Sequence, residues 1–288
     1  MKNFELFLEL TRLKKPIGFM LLFWPCLWGL SLALQFSNDH YIFLKYCFLF
    51  FFGAVLMRSA GCIVNDILDR KIDTMVERTK SRPIASGKIS VQKSLIYVSI
   101  LCSIAFLILI QFNQKTIILG LASMPFAFSY PLMKRFTYWP QLFLGLTFNY
   151  GLLMAWVSLT NEFSYYPLIL YFGAIFWTLG YDTIYGFQDI KDDEIIGVKS
   201  TSIKFKKNPK LFLFICYLIF YMSLVLLGVT MSYSFFYFIF SALILYHLIV
   251  FQIKPLDTAK PQICLNKFKS NNPLGLLVFV NILIGGNF

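Results

Sequence analysis

Long apolar runs recur along this sequence, and they constrain its fold more than any other feature. A helix needs about 20 residues to cross the ~30 Å hydrocarbon core of a bilayer, and within lipid it must satisfy its backbone hydrogen bonds internally. Nine runs reach or approach that length: residues 17–36, 41–61, 93–112, 116–130, 141–159, 166–187, 211–230, 232–252 and 273–287.

The composition agrees with a membrane location. Of the 288 residues, 58% are hydrophobic, 19% are aromatic and only 14% are charged, which excludes an ordinary soluble domain of this length. The sequence therefore predicts an all-α integral membrane protein with about nine transmembrane helices, built as one polytopic domain over residues 1–288. Pro125 lies inside the fourth run, where we expect it to kink the helix.

The basic residues predict the orientation of the chain. With Arg58 set aside inside the second run, 23 of the remaining 25 Lys and Arg fall on one side of a nine-helix arrangement, and only Lys45 and Lys115 fall on the other. The positive-inside rule then places the N-terminus in the cytoplasm and the C-terminus outside. The net charge of +12 is spread over short connections, with no basic folded module, so nucleic-acid binding is excluded.

The remaining composition points to no other chemistry. The six cysteines form no CxxC pair and lie mostly in or beside apolar runs, so we expect core residues without a disulfide framework or a zinc site. His40 and His247 lack a His or Cys partner at ligand spacing. The N-terminus shows no cleavable signal pattern.

The first acidic cluster follows the second apolar run. The stretch VNDILDRKID (64–73) places Asp66, Asp69 and Asp73 at i, i+3 and i+7, on one face of a helix that continues past the run. Because stacked like charges repel, the arrangement favours a bound hard cation, and oxygen ligands without His or Cys suit Mg²⁺. Asn65 can add a neutral oxygen ligand.

The second acidic cluster follows the sixth run. The stretch YDTIYGFQDIKDDE (181–194) places Asp182, Asp189 and Asp193 at i, i+7 and i+11, which again predicts one acidic helical face. A single aspartate at a helix end is usually a solvated interfacial residue, but two such clusters lie on the same predicted side. We therefore expect them to face each other across a shared cavity.

Basic residues follow each acidic cluster. Cations beside metal-binding carboxylates are what a diphosphate requires, although each cation taken alone also fits the orientation signal. The candidate diphosphate-binding residues are Arg78, Arg82, Lys88 and Lys199. Arg58 is different because it lies inside an apolar run, where a charge is expensive and indicates a polar cavity with an anionic partner.

Four motifs and their surroundings resemble the UbiA family of membrane prenyltransferases. They are NDxxDxxxD (65–73), RTxxRPxxSGxIS (78–90), YPxMKRxTxxPQxxLG (130–145) and YDTxYxxxDxxDDxxxGxKST (181–201). The similarity extends from KPIGFMLLFWPCLW (15–28) to NNPLGLLVF (271–279), which is nearly the whole chain. The last two motifs are most similar to the branch of the family that prenylates 4-hydroxybenzoate in ubiquinone biosynthesis.

The resemblance implies helices around a central cavity, with both acidic clusters at its cytoplasmic end and a side opening for a lipid tail. It also implies Mg²⁺-dependent transfer of a polyprenyl group from polyprenyl diphosphate to the carbon ortho to the acceptor's hydroxyl. The six clustered aspartates would act as metal-binding catalytic residues. For the benzoate carboxylate the candidates are Arg58, Lys15, Lys134 and Arg135, and Tyr130 and Tyr185 are candidates for orienting either substrate.

Two alternatives stay open from the sequence. A related enzyme that prenylates homogentisate, dihydroxynaphthoate or haem would share the first acidic motif. A cation transporter with intramembrane carboxylates would instead place its acids near mid-membrane, beside helix breaks. We expect a multi-pass protein of a bacterial inner membrane, with its active site toward the cytoplasm and no obligate protein partner; prenyl chain length is not readable from the sequence.

Overall fold

The computed structural model describes residues 2–37 and 39–286, and within these ranges the only regular secondary structure is helical. The α-helices are α1 (Lys2–Thr11), α2 (Ile17–Ser37), α3 (His40–Asp73), α4 (Val91–Leu109), α5 (Gln114–Ser129), α6 (Met133–Phe136), α7 (Pro140–Phe148), α8 (Tyr150–Thr160), α9 (Tyr165–Gly186), α10 (Ile190–Ile196), α11 (Thr201–Lys204), α12 (Pro209–Thr230), α13 (Phe235–Tyr246), α14 (Pro261–Lys269) and α15 (Asn271–Gly285). A 3₁₀ turn (Tyr130–Leu132) joins α5 to α6, and a π-helix (His247–Ile253) continues α13. The predicted all-α fold is confirmed.

Eight helical stretches of the described chain are long and apolar enough to cross a membrane. They are Ile17–Ser37, His40–Asp73, Val91–Leu109, Gln114–Phe136, Pro140–Thr160, Tyr165–Gly186, Pro209–Thr230 and Phe235–Ile253. The ninth predicted run forms α15, whose 15 residues span only about 22 Å at the α-helical rise, short of the hydrocarbon thickness. The predicted end of that run, residue 287, lies outside the described residues.

The two acidic clusters sit on different local structures. Helix α3 starts with the Asp39 carboxylate accepting from the Ile42 amide at 2.9 Å, and it runs without interruption for 34 residues to Asp73. The predicted helical face carrying the first cluster is thus confirmed. The prediction for the second cluster is wrong: α9 ends at Gly186, and a turn leads into α10, for which Asp189 is the N-cap residue.

Two helical spans contain local irregularities. Pro125 lies within α5, which continues to Ser129. The fifth span divides at Asn149, whose side-chain amide donates to the carbonyls of Gly145 (2.8 Å) and Ala174 (3.1 Å) and to the Thr178 hydroxyl (2.8 Å). These bonds hold the break against α9, because one side-chain amide bonds both to α7 and to two residues of α9.

Tryptophan hydrogen bonds join α2, the first membrane-length helix, to α15 near the end of the chain. The Trp24 indole N–H donates to Asn272 Oδ1 at 2.8 Å, and the Trp28 indole N–H donates to the Gly275 carbonyl at 2.9 Å. The Trp24 ring lies directly against the Cα of Gly275, where a Cβ would collide with it. The sequence stretches WPCLW and NNPLG, which are far apart in the chain, therefore form one contact that closes the helical bundle between α2 and α15.

Replacing Gly275 by alanine tests this closure. The added methyl would overlap the Trp24 indole, so we expect a loss of roughly 1–3 kcal/mol of stability, as for other overpacked positions. The melting temperature of the purified protein in detergent measures it. Gly61→Ala is the matched control, because no atom lies within 4 Å of a Cβ built there; an equal effect of both substitutions would contradict the proposed close contact.

Candidate active site

The first acidic cluster is buried and neutralised by cations of the same chain. Asp66, Asp69 and Asp73 are each at most 5% exposed at the end of α3. Arg82 Nη1 reaches both Asp66 Oδ1 (3.1 Å) and Asp73 Oδ2 (2.9 Å), and Lys134 Nζ forms an ion pair with Asp69. Because a buried carboxylate without a partner is costly, these pairs are what permits the cluster to remain inside the folded protein.

Arg12 is a member of this network that the sequence reasoning missed. It follows α1 and forms an ion pair with Asp66, on the carboxylate oxygen that Arg82 also contacts. Its backbone has a positive φ of 58°, which is uncommon for a residue with a side chain and occurs where the surroundings impose it. In the sequence Arg12 fits only the orientation signal, and no local pattern distinguishes it from Lys14.

The second cluster is linked to the loop that follows the first. Asp189 accepts from Arg78 through both oxygens, with Nε at 2.7 Å, and Arg78 Nη1 donates to the Tyr185 hydroxyl at 3.0 Å. Nearby, the Glu77 amide donates to Asp192 Oδ2 at 3.2 Å. The segments after α3 and after α9 therefore meet, and they bring the two acidic clusters to the same end of the molecule.

Asp182 and Asp193 complete the second cluster. Asp182 is half-buried on α9, one turn before Tyr185. Asp193 is half-buried on α10, and burial, reinforced by the neighbouring Asp189 carboxylate, raises its pKa to about 6. Lys134 and Arg78 lower this pKa and so favour the ionised form. The pKa of Asp193 is therefore closer to neutral pH than that of an ordinary aspartate.

An apolar cavity of about 380 Å³ lies beyond the first cluster, between α3, α4, α5 and the α7–α8 break. Arg58 and Tyr130 line it among residues that are mostly apolar. Arg58 Nε is buried and has no hydrogen-bond partner within the described residues, and the guanidinium carbon lies 5.2 Å from the centroid of the Phe148 ring. A buried, incompletely bonded guanidinium in an apolar cavity is suited to an anionic group of a ligand.

The other predicted site residues are placed less centrally. Of the four residues predicted to bind the benzoate carboxylate, only Arg58 lines the cavity. Lys15 is exposed after α1, and Lys134 forms an ion pair with Asp69. Arg135 donates to the Leu68 carbonyl at 2.7 Å. Arg135 also lies 3.9 Å from Asp69.

Among the predicted diphosphate-binding residues, Lys88 is exposed and forms no ion pair within the described chain. Lys199 Nζ donates to the Phe136 carbonyl at 3.3 Å and does not contact an aspartate in the described structure. Asn65 is half-buried beside Asp66 on α3. These placements leave Arg12, Arg78, Arg82 and Lys134 as the cations in closest contact with the acidic clusters, with Arg135 farther from Asp69 at 3.9 Å.

Several motif residues have structural roles. The Thr183 and Thr201 hydroxyls lie 2.6 Å apart, and the Thr201 amide donates to Gln141 Oε1 at 3.0 Å. The Ser202 hydroxyl donates to the Thr183 carbonyl at 2.8 Å. All of these residues are buried, so the YDT, PQ and KST stretches hold the loop after α10 against α7 and α9 instead of lining the cavity.

The donor set at the clusters fits Mg²⁺ in its chemistry, although in the described chain no three His, Cys, Asp or Glu side chains converge as a group that could hold a metal ion. The ligands available are carboxylate oxygens, and Asp69 Oδ1 is buried without a hydrogen-bond partner within the described residues. The carboxylates would therefore bind a metal only after their Arg and Lys partners move to another anion.

Comparison with known proteins gives a family match from the sequence, and solved structures share the fold. Residues 22–281 match the model of the UbiA prenyltransferase family. The chain is 44% identical to the bovine protein named "4-hydroxybenzoate polyprenyltransferase, mitochondrial" over 97% of this chain and 75% of that protein. It is 42% identical to the human protein of the same name, over 97% and 75%, and 40% identical to the Drosophila melanogaster protein, over 96% and 70%.

Solved structures of UbiA homologues share the fold. The apo homologue from Aeropyrum pernix K1 superposes with a TM-score of 0.72 at 24% identity, covering 91% of this chain and 97% of that one. The homologue from Archaeoglobus fulgidus, bound to GPP and Mg²⁺, gives a TM-score of 0.67 at 16% identity, covering 96% and 99%.

The raised pKa of Asp193 predicts a pH-dependent stability. An acid whose folded pKa of about 6 lies above its unfolded value of ~3.9 destabilises the fold as pH rises between these values, because the folded site resists ionisation. Asp193→Asn should therefore raise the melting temperature in detergent near pH 7.5 and raise it less near pH 5. Asp192→Asn is the control; an equal gain at both pH values would contradict the assignment.

Proposed function

The chain belongs to the UbiA prenyltransferase family, and on that basis we propose that it transfers a polyprenyl group from polyprenyl diphosphate to 4-hydroxybenzoate. The relatives that carry this activity in their names match nearly the whole chain at 40–44% identity. The observation that carries the proposal is the arrangement of the site. Arg58, whose guanidinium is incompletely hydrogen-bonded, lines an apolar cavity. Two carboxylate clusters, paired with cations, lie nearby. One end suits a lipid tail and an aromatic acid, and the other suits a diphosphate.

At the polar end, carboxylates and cations would exchange partners when substrate binds. Arg12, Arg82 and Lys134 now neutralise the first cluster, and Arg78 neutralises Asp189. When a diphosphate arrives, these four cations can bind its oxygens, since guanidinium and ammonium groups bind phosphate as well as carboxylate. Asp66, Asp69 and Asp73 would then hold Mg²⁺ together with Asp182, Asp189 and Asp193. Bound Mg²⁺ supplies positive charge that stabilises the leaving diphosphate.

The bond changes follow from this charge distribution. The C–O bond between the allylic carbon of the prenyl group and the diphosphate breaks, and its electron pair leaves with the diphosphate. The carbon ortho to the hydroxyl of the acceptor bonds to the resulting allylic cation, and loss of a proton from that carbon restores the aromatic ring. Arg12, Arg78, Arg82 and Lys134 stabilise the negative charge that develops on the leaving group.

The cavity would hold the reacting carbons away from water. Its lining is mainly apolar, which protects a carbocation from hydrolysis. Arg58 is suited to bind the carboxylate of 4-hydroxybenzoate, and Tyr130 also lines the cavity. Phe106 on α4 and Leu121 on α5 line the cavity and are also about half exposed on the outer surface, which supports a lateral opening to the bilayer for the prenyl tail.

The chain is a multi-pass membrane protein, and its finer location is a proposal. We propose a bacterial inner membrane with the carboxylate clusters toward the cytoplasm, which the asymmetry of Lys and Arg supports. The relatives named above are mitochondrial, so a mitochondrial membrane is the alternative. We also propose a single domain, supported by the match of one family model over residues 22–281.

The positions of the helix break and of the acidic residues distinguish a transferase from a cation transporter. The helix break at Asn149 is a feature that a transporter would share, but the Asn149 amide is bonded to backbone carbonyls and to Thr178. The acidic residues lie at one end of the helices, beside cations, and not at the break. Both observations favour the transferase.

Prenyl transfer in membranes that contain the protein tests the proposal directly. With 4-hydroxybenzoate, a long-chain polyprenyl diphosphate and Mg²⁺, we expect 3-polyprenyl-4-hydroxybenzoate, and no product when the metal is chelated. Asp66→Ala and Asp189→Ala should each lower the rate by about 100-fold or more, because each removes a carboxylate that would hold Mg²⁺, the ion whose positive charge stabilises the leaving diphosphate. Liquid chromatography with mass spectrometry measures the product.

The control is Asp257→Ala, an exposed aspartate paired with Lys260 in the loop before α14. Folded wild-type protein that makes no product from 4-hydroxybenzoate but prenylates homogentisate or dihydroxynaphthoate would correct the acceptor. Absence of product with all three acceptors would contradict the transferase assignment.

Arg58→Gln tests the acceptor end separately. Loss of a charged hydrogen-bond donor to the benzoate carboxylate should raise KM for 4-hydroxybenzoate by about 10-fold or more, while KM for the prenyl diphosphate changes little. Methyl 4-hydroxybenzoate, which lacks the charge, is the matched substrate. Wild type should prefer the acid and the variant should lose that preference; an unchanged preference would exclude Arg58 from carboxylate recognition.

A further inference from the structure

A buried polar residue with four hydrogen bonds begins α15, directly after α14. Asn271 Oδ1 accepts from the Trp177 indole N–H (2.8 Å) and from Gln252 Nε2 (3.1 Å). Its amide nitrogen donates to the carbonyls of Lys267 and Phe268, each at 3.1 Å. Asn271 is fully buried, so these bonds fix the end of α14 relative to α9 and the π-helix.

The π-helix supplies one side of this connection. Gln252 lies within it, is fully buried, and also accepts from the Tyr217 hydroxyl at 2.6 Å. The hydrogen bonds of a π-helix span one residue more than those of an α-helix. The π-helix therefore changes which side chains face the neighbouring helices. Here it places an amide between α12 and α15, where both of its polar atoms have partners.

Contacts between aromatic rings connect α14 to the Arg78–Asp189 ion pair of the second cluster. The Phe268 ring centroid lies 5.8 Å from that of Tyr181 and 4.6 Å from that of Tyr185. The Tyr185 hydroxyl in turn accepts from Arg78, whose guanidinium carbon lies 5.3 Å from the Tyr185 ring centroid. Behind Tyr181, the Trp177 ring is 5.0 Å away and belongs to the core.

From this geometry we propose that Phe268 is a positioning residue for diphosphate binding, acting on Arg78 through Tyr185. Phe268 fixes the plane of the Tyr185 ring, and Tyr185 holds the Arg78 guanidinium by a hydrogen bond and by its ring face. The proposal rests on the proposed function, because it concerns the cation that binds the leaving diphosphate.

The need for such a support follows from the exposure of Arg78. Its side chain is 38% exposed and follows the end of α3 in an irregular segment, so its rotamers are not fixed by core packing. When Asp189 turns to other partners, Tyr185 is the contact that keeps the guanidinium in place. The anchoring residues Asn271 and Gln252 do not line the cavity, and neither does Phe268, so their effect on substrate is transmitted through Tyr185.

Phe268→Leu and Phe268→Tyr test the proposal. The leucine keeps an apolar side chain but loses the ring contact, and an aromatic pair contributes about 0.5–1.5 kcal/mol, so affinity for geranyl diphosphate with Mg²⁺ should fall about 2- to 10-fold. Phe268→Tyr should restore it. KM for 4-hydroxybenzoate should change less than 2-fold, because neither Phe268 nor Tyr185 lines the cavity that Arg58 and Tyr130 line. Isothermal titration of the purified protein in detergent measures the binding, without acceptor present.

Phe279→Leu is the matched control, since Phe279 is half-buried in the neighbouring α15 and packs on the core. Unchanged affinity of Phe268→Leu, or an equal rise of both KM values, would overturn the positioning role. A loss of binding that Phe268→Tyr does not restore would also overturn it. If wild-type protein binds no geranyl diphosphate with Mg²⁺, the proposed function fails, whatever the variants show.

Discussion

The site depends on the pairing of buried carboxylates with cations from the same chain. Three aspartates at the end of α3 are almost wholly removed from solvent. Leaving them ionised and unpaired would cost several kcal/mol each, so the fold brings Arg12, Arg82 and Lys134 to them from three separate segments. The same groups are the ones a metal and a diphosphate need. Each carboxylate is therefore paired with a cation, and the proposed function requires these cations to move to the diphosphate while the carboxylates bind the metal.

Helix α3 sets the distance between the cavity, where the acceptor is proposed to bind, and the first acidic cluster. Arg58, at the end of the cavity, and Asp66, at the start of the cluster, are eight residues apart, which is about 12 Å along an α-helix. Eight residues make about 2.2 turns, so the two side chains are about 80° apart around the axis and share one broad side of the helix. One rigid element therefore carries the group suited to the acceptor carboxylate and the carboxylates suited to the metal. On the side of the second cluster, the contact of Phe268 with Tyr185 supports Arg78.

Much of this could be read from the sequence, for physical reasons that differ between elements. Apolar runs of membrane length predict helices because lipid leaves few other structures, and the spacing of Asp66, Asp69 and Asp73 needs only the helical period. The second cluster was harder: the periodicity of its aspartates continues through a point where the chain turns at Phe187, so spacing alone suggested one helix instead of two.

Arg12 and Phe268 could not be found locally, because their roles depend on contacts with residues far away in the chain, Asp66 and Tyr185. The short length of α15 is a further difference, since an apolar composition does not fix where a helix ends.

The exchange of partners is tested most directly by measuring Mg²⁺ and pyrophosphate binding to the purified protein, separately and together, by isothermal titration. If the carboxylates release their cations only when both ligands arrive, pyrophosphate should raise the affinity for Mg²⁺ by about tenfold or more beyond the affinity of the two ligands for each other, and Mg²⁺ should raise that for pyrophosphate equally. Arg12→Gln should weaken this coupling. Tight binding of Mg²⁺ alone, unaffected by pyrophosphate, would contradict the account.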